Sequence, residues 1–130
     1  MSNYQLKSEN SIAAGTLLQK EEKYDNSIHC FYYACVQMMI LVKETNPIVQ
    51  RNFNRSTALG IHQQLITAIT NDLNTRSFVD FLQFNNEIRI LRSLRVIGDY
   101  KEVLITVTEA NEASLYSENI ITLLRRTYSI

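Results

Sequence analysis

The sequence predicts an all-α fold, an antiparallel helical bundle of about five helices in one domain spanning residues 1–130, and three observations predict it. Apolar residues recur at helical spacing through long stretches of the chain. Structural punctuation is scarce, with three glycines and one proline in 130 residues, too few for a many-stranded protein. The one β-branched run, Val103-Leu104-Ile105-Thr106-Val107, stands alone, and an isolated strand has nothing to pair with.

The first helix is expected from about Gln5 to Glu22, with Leu6, Ile12, Ala13, Leu17 and Leu18 as its apolar side and Gly15 as a weak point in its middle. A turn at Tyr24-Asp25 opens the second helix, Asn26 to Glu44, with Asp25 as its expected N-cap. On it Ile28, Phe31, Tyr32, Cys35, Met38, Met39 and Val42 share one face, while Tyr33, Val36, Ile40 and Leu41 fall elsewhere. A helix apolar around most of its circumference is buried from several sides, at the centre of a bundle or across a dimer interface. Asn46-Pro47 ends it, because proline disfavours helical geometry at the residue before it. A polar connection, Thr45 to Asn54, follows.

The third helix is expected from near Ser56 to about Leu73, carrying Ala58, Leu59, Leu65, Ile66 and Ile69 inward. Asn74-Thr75-Arg76 leads to a fourth, Ser77 to Ile97, with Phe78, Phe81, Leu82, Ile88, Leu91 and Leu94 as apolar positions and Gly98 breaking or bending its end. The run at 103–107 is read as a loop or helix extension. The last helix covers about Glu109 to Thr127, with Thr108 as candidate cap.

Composition limits the function classes. Thirteen basic and thirteen acidic residues give a net charge of zero, which argues against a general nucleic-acid coat protein but allows a local site for one or two phosphates. No apolar run approaches the roughly 20 residues of a membrane span, and no membrane association is expected. Met-Ser-Asn-Tyr-Gln lacks the basic-then-apolar order of a signal peptide, so a cytoplasmic protein is expected. Cys30 and Cys35 point in different directions on one helix and are read as free thiols. Two cysteines and two histidines lack paired ligand spacing, so no metal is expected. There is no glycine-rich phosphate loop, and no cofactor is implied.

Three segments, in order, resemble the HEPN superfamily of small helical bundle proteins, closest to the single-domain members often encoded beside minimal nucleotidyltransferases. They are Tyr24-Asp25 followed by Phe31-Tyr32-Tyr33-Ala34; Leu59-Gly60-Ile61-His62; and Leu91-Arg92-Ser93-Leu94-Arg95-Val96-Ile97-Gly98-Asp99-Tyr100 with Glu109-Ala110-Asn111-Glu112-Ala113. The likeness spans roughly residues 5 to 127 and rests on the ordered set. His29-Cys30 stand where many relatives carry Asn-Arg.

In the RNA-cleaving branch of that superfamily the signature is an arginine, four to six residues, then a histidine. Arg55 and His62 are separated by six residues, with Ser56 where the family usually has Asn, Asp or His. If both lie on one helix, seven steps of about 100° return to within roughly 20° of the same face. The resemblance then implies a metal-independent endoribonuclease, the toxin-type half of a two-gene system. Arg55 would clamp phosphate and His62 would act as acid-base, with Arg51 as an auxiliary phosphate-binding cation. It also implies a homodimer in which two Arg-His pairs face each other, a nucleotidyltransferase partner, and RNA as substrate. Relatives controlled by modification of a tyrosine two positions after the histidine have no counterpart here, where Gln64 stands.

The same residues admit plainer accounts. His62 can serve as a hydrogen-bonding bundle residue and Arg55 as part of a connector. His29, one turn into an apolar helix, is read as a bundle residue. Arg89, Arg92 and Arg95, at three-residue steps, form a basic stripe that Glu87 and Asp99 can neutralise on a solvated or dimer-rim face. The alternative function is accordingly a non-catalytic HEPN-like binding module that contacts a nucleotidyltransferase or a nucleotide. A helical scaffold without a small-molecule site is the third.

Overall fold

A computed structural model describes residues 2–54 and 60–130, and among them every regular element is a helix. In chain order these are α1 (Asn3–Lys20), α2 (Tyr24–Thr45), α3 (Pro47–Asn54), α4 (Ile61–Arg76), α5 (Phe78–Tyr100) and α6 (Val107–Tyr128). The all-α helical bundle read from the sequence is what the chain forms, with six helices described rather than about five. None of them is long and apolar enough to cross a membrane.

The bundle is organised around α2, which packs against each of the other five helices. Ile28, Phe31, Tyr32, Cys35, Met38, Met39 and Val42 are buried along one face and Ala34, Val36 and Leu41 on others. Neighbours within one chain therefore account for its apolar circumference, and a second copy is not needed to cover it. Leu65, Ile66, Ile69 and Leu73 of α4, Phe84, Ile88 and Leu91 of α5, and Ala113, Ile120, Leu123 and Leu124 of α6 complete the core.

The additional helix, α3, occupies the stretch expected as a polar connection. Asn46 Oδ1 accepts hydrogen bonds from the amides of Ile48 and Val49 at 3.0 and 3.1 Å, and Pro47 takes the first helical position, where its missing N–H is no loss. The dipeptide that ends α2 thus also starts α3. Val49 anchors the short helix in the core, and Lys43 lies 4.6 Å above the Phe53 ring.

Other boundaries moved for local reasons. α1 closes by Glu22 taking a left-handed φ of 62°, with the amides of Glu22 and Lys23 bonded back to Gln19 and Leu18, the hydrogen-bond pattern of a Schellman cap usually built on glycine. Asp25 is not the cap of α2. It lies inside the first turn, and its Oδ1 accepts the amide of Ile105 at 2.9 Å. That bond and burial of Ile105 hold the 101–106 connector, which is loop as expected, against the start of α2. Gly98 does not end α5, which continues to Tyr100. The cap of α6 is Thr106 rather than Thr108, in a reciprocal capping box with Glu109.

Candidate functional site

Where the start of α4 meets α2 and the end of α5, the chain collects both of its histidines, three tyrosines, two arginines and an aspartate. His62 is the second residue of α4, behind Gly60 as N-cap. Its Nδ1 lies 3.0 Å from the hydroxyl of Tyr32. Tyr32 and Tyr33 are successive residues of α2, so their rings leave the helix about 100° apart. Tyr32 enters the core and Tyr33 stays half-buried, with the two rings edge to face at 5.6 Å. Burial pushes the Tyr32 phenol up to about 12, so it is protonated at neutral pH. His62 also stands edge-on to Tyr33, at 5.6 Å.

His29, one helical turn earlier on α2, packs against the same Tyr33 ring, with ring centroids 4.6 Å apart. Its Nδ1 is 2.9 Å from Oδ2 of Asp99, across 70 residues of sequence. His29 is read from the sequence as a bundle residue. Instead its side chain is 48% exposed while its carboxylate partner is 19% exposed, the arrangement of an accessible imidazole oriented from behind.

The basic stripe on α5 divides into three different environments. Arg95 is nearly enclosed. Its guanidinium lies 5.4 Å from the centroids of both Tyr32 and Tyr33 and 5.5 Å from that of Tyr100, and it donates to Tyr33 Oη at 3.0 Å. Nε of Arg95 is 3.0 Å from Asp99 Oδ2, but its N–H is not aligned on that oxygen and makes no hydrogen bond. Arg92 donates to Gln63 Oε1 at 2.6 Å, beside His62 in sequence. Arg89 reaches only Asn85, on the surface. Asp99 neutralises part of the stripe, as expected. Glu87 does not, because it turns inward to accept from Asn119 and leaves its second oxygen buried without a partner.

Burial, then Arg95, then Arg92 lower the pKa of His62 below its ordinary value. The imidazole is therefore neutral at pH 7. In the tautomer that donates Nδ1–H to the Tyr32 hydroxyl, the lone pair is on Nε2, which bonds to nothing among the described residues. Such a base beside two guanidiniums can accept a proton from a substrate whose anionic group the arginines hold. The amides of the first turn of α4, behind a glycine N-cap that offers no side chain of its own, add positive potential at the same place.

Of the residues singled out from the sequence, His62 belongs to this cluster. Arg51 sits exposed in the last turn of α3 and touches none of these side chains. Arg55 lies outside the described residues. The expected same-face relation of Arg55 and His62 therefore also lies outside the described residues. Among the described residues the cations beside His62 are Arg92 and Arg95. Sequence reasoning missed His29, Arg92, Arg95 and Asp99 as site residues. Their local signals, the i,i+4 pairs 29/33 and 95/99 and the 89/92/95 stripe, were present but equally compatible with a solvated face.

A shallow groove of about 380 Å³ adjoins the cluster, lined by Gln63, Ile66, Arg89, Arg92, Ser93 and Val96. A larger one, about 510 Å³, lies between α1, α2 and α6 and contains no imidazole and no tyrosine. The smaller groove shares Gln63 and Arg92 with the histidine cluster, so chemistry rather than volume places the site. Among the described residues no group of three or more His, Cys, Asp or Glu is positioned to hold a metal ion. Comparison with family models, with curated proteins and with solved structures finds no match for this chain.

Proposed function

We propose that the chain is a HEPN-like, metal-independent endoribonuclease, the toxin-type member of a two-gene system with a nucleotidyltransferase partner. One observation carries this proposal: a neutral imidazole, His62, is held beside two guanidiniums at the start of a helix. Cleavage of RNA without a metal needs a base for the ribose 2′-hydroxyl and positive charge for the phosphate oxygens as charge builds on them. His62 supplies the first. Arg95 and Arg92 supply the second, in the place first assigned to Arg55, which remains a further candidate clamp with Arg51. The cytoplasm, where such a pair acts on RNA, and a homodimeric state belong to the same proposal.

A second reading, a non-catalytic module that binds the nucleotidyltransferase or a nucleotide, is favoured by a separate observation. Tyr100, Val103 and Leu104, 71%, 69% and 78% exposed, form an apolar rim that follows directly on Asp99. A protein partner covers such a rim, whereas solvent does not reward it.

Incubation of the purified protein with RNA in excess EDTA tests both. The ribonuclease leaves 2′,3′-cyclic phosphate ends, and His62→Ala reduces the rate by about 10²–10⁴-fold, the range of a lost general acid-base. RNA that stays intact at high concentrations of folded protein, together with co-purification of a nucleotidyltransferase, replaces the enzyme with the module.

A further inference from the structure

A phosphodiester transfer needs two proton movements, one from the attacking hydroxyl and one to the leaving oxygen, and a single imidazole cannot stand on both sides of phosphorus. The chain has two histidines, and folding brings both against the same phenol ring, His29 at 4.6 Å and His62 at 5.6 Å. Their neighbours differ: His62 faces Arg92 and Arg95, whereas His29 Nδ1 is 2.9 Å from Oδ2 of Asp99, the oxygen that also lies 3.0 Å from Arg95 Nε. Nε2 of His29 bonds to nothing among the described residues, and the side chain is 48% exposed.

We propose that His29, oriented by Asp99, is the proton donor to the leaving 5′-oxygen in a two-imidazole site contained within one chain. The inference rests on the ribonuclease proposal and specifies its second half. His62 Nε2 takes the proton of the 2′-hydroxyl as that oxygen bonds to phosphorus. The bond from phosphorus to the 5′-oxygen breaks, and the Nε2 proton of the His29 imidazolium passes to it. The products are a 2′,3′-cyclic phosphate and a free 5′-hydroxyl. The two imidazoles have exchanged charge states and return to their starting forms by proton exchange with water. Arg95, held by Tyr33 and Asp99, is the cation assigned to the phosphate oxygens.

Two substrates separate the roles. In a diribonucleotide the leaving group is an alkoxide that needs a proton; in uridine 3′-(para-nitrophenyl phosphate) it is a phenolate that does not. His29→Gln is expected to lose about 10²–10⁴-fold on the diribonucleotide and to stay within a few-fold of wild type on the aryl ester. His62→Gln is expected to lose activity on both. Added imidazole should restore diribonucleotide cleavage to His29→Ala, a response that a purely structural histidine does not give. Equal losses of His29→Gln on both substrates, or none on either, overturn the role of His29 while leaving the ribonuclease standing. Recovery of activity on mixing His29→Gln with His62→Gln protein shows a site shared between chains and overturns containment in one. A wild-type protein that cleaves neither substrate removes the ribonuclease proposal and this inference together.

Discussion

Protonating His62 would put a third positive charge beside Arg92 and Arg95 in a half-buried place, and burial already opposes it. In the unfolded chain the same imidazole titrates near its ordinary value of about 6.5. Between the folded and unfolded pKa values the unfolded chain therefore binds more protons, so this residue makes stability rise with pH. Its contribution is complete above about pH 6.5 and is lost as pH falls through the folded pKa. The urea midpoint of the wild type should drop between about pH 7.5 and about pH 5, and His62→Gln should show a smaller drop. Equal drops in the two proteins would mean that His62 is no more shielded than a surface histidine. The residue scale is also where the sequence was least legible. Arg92 and Glu87 are both charged residues on the same helix, yet one reaches Gln63 and the other turns into the bundle toward Asn119. Spacing along a helix gives the direction in which a side chain leaves, but the partner comes from another element.

Gly15 shows how packing between elements overrides propensity within one. In sequence it is a weak point of α1, and replacing it with alanine should gain up to about 1 kcal/mol of helix propensity. In the folded chain a Cβ at that position would stand 2.7 Å from Cε1 and 2.9 Å from Cδ1 of Phe31, a ring only 1% exposed. The close approach of α1 to α2 depends on having no side chain there. Gly15→Ala is expected to destabilise by about 1–3 kcal/mol, the range of an overpacked core, and a melting temperature at or above wild type would show that the helices separate without loss. Helix types and the long apolar faces were legible because they depend on period alone. The exceptions have local explanations. α3 was hidden because Asn-Pro was taken as a stop when it is also a cap and a first helical residue. Gly98 was expected to break or bend α5, but the helix runs through it to Tyr100, in a place where a Cβ would touch Asp25 and Ile105 at 3.5 Å.

For the molecule as a whole, a net charge of zero and a basic cluster at one place predict a restricted footprint on RNA. A single strand touching Arg92, Arg95 and Arg89 engages two or three phosphates, so log K should fall with log salt at a slope of about −1.4 to −2.1. Anisotropy of a labelled strand between about 50 and 200 mM salt measures it. A slope steeper than about −4 would place RNA on a broader surface than this cluster offers. The site itself was only partly legible at this scale. Tyr32-Tyr33 and His62 stood out in the sequence, but their union with Asp99 depends on α2, α4 and α5 converging, and His29 meets Asp99 across 70 residues. No periodicity spans that distance.

The immobilisation of Arg95 has a consequence for how a ligand is received. A free arginine side chain carries about 2 kcal/mol of rotamer entropy. Arg95 has surrendered much of that on folding, held by the Tyr33 hydroxyl, the Asp99 carboxylate and three aromatic rings. An arriving anion meets a cation that is already still, and no ordering penalty is left for it to offset there. Arg89, exposed and among the described residues tethered only to Asn85, keeps its freedom until something from outside arrests it.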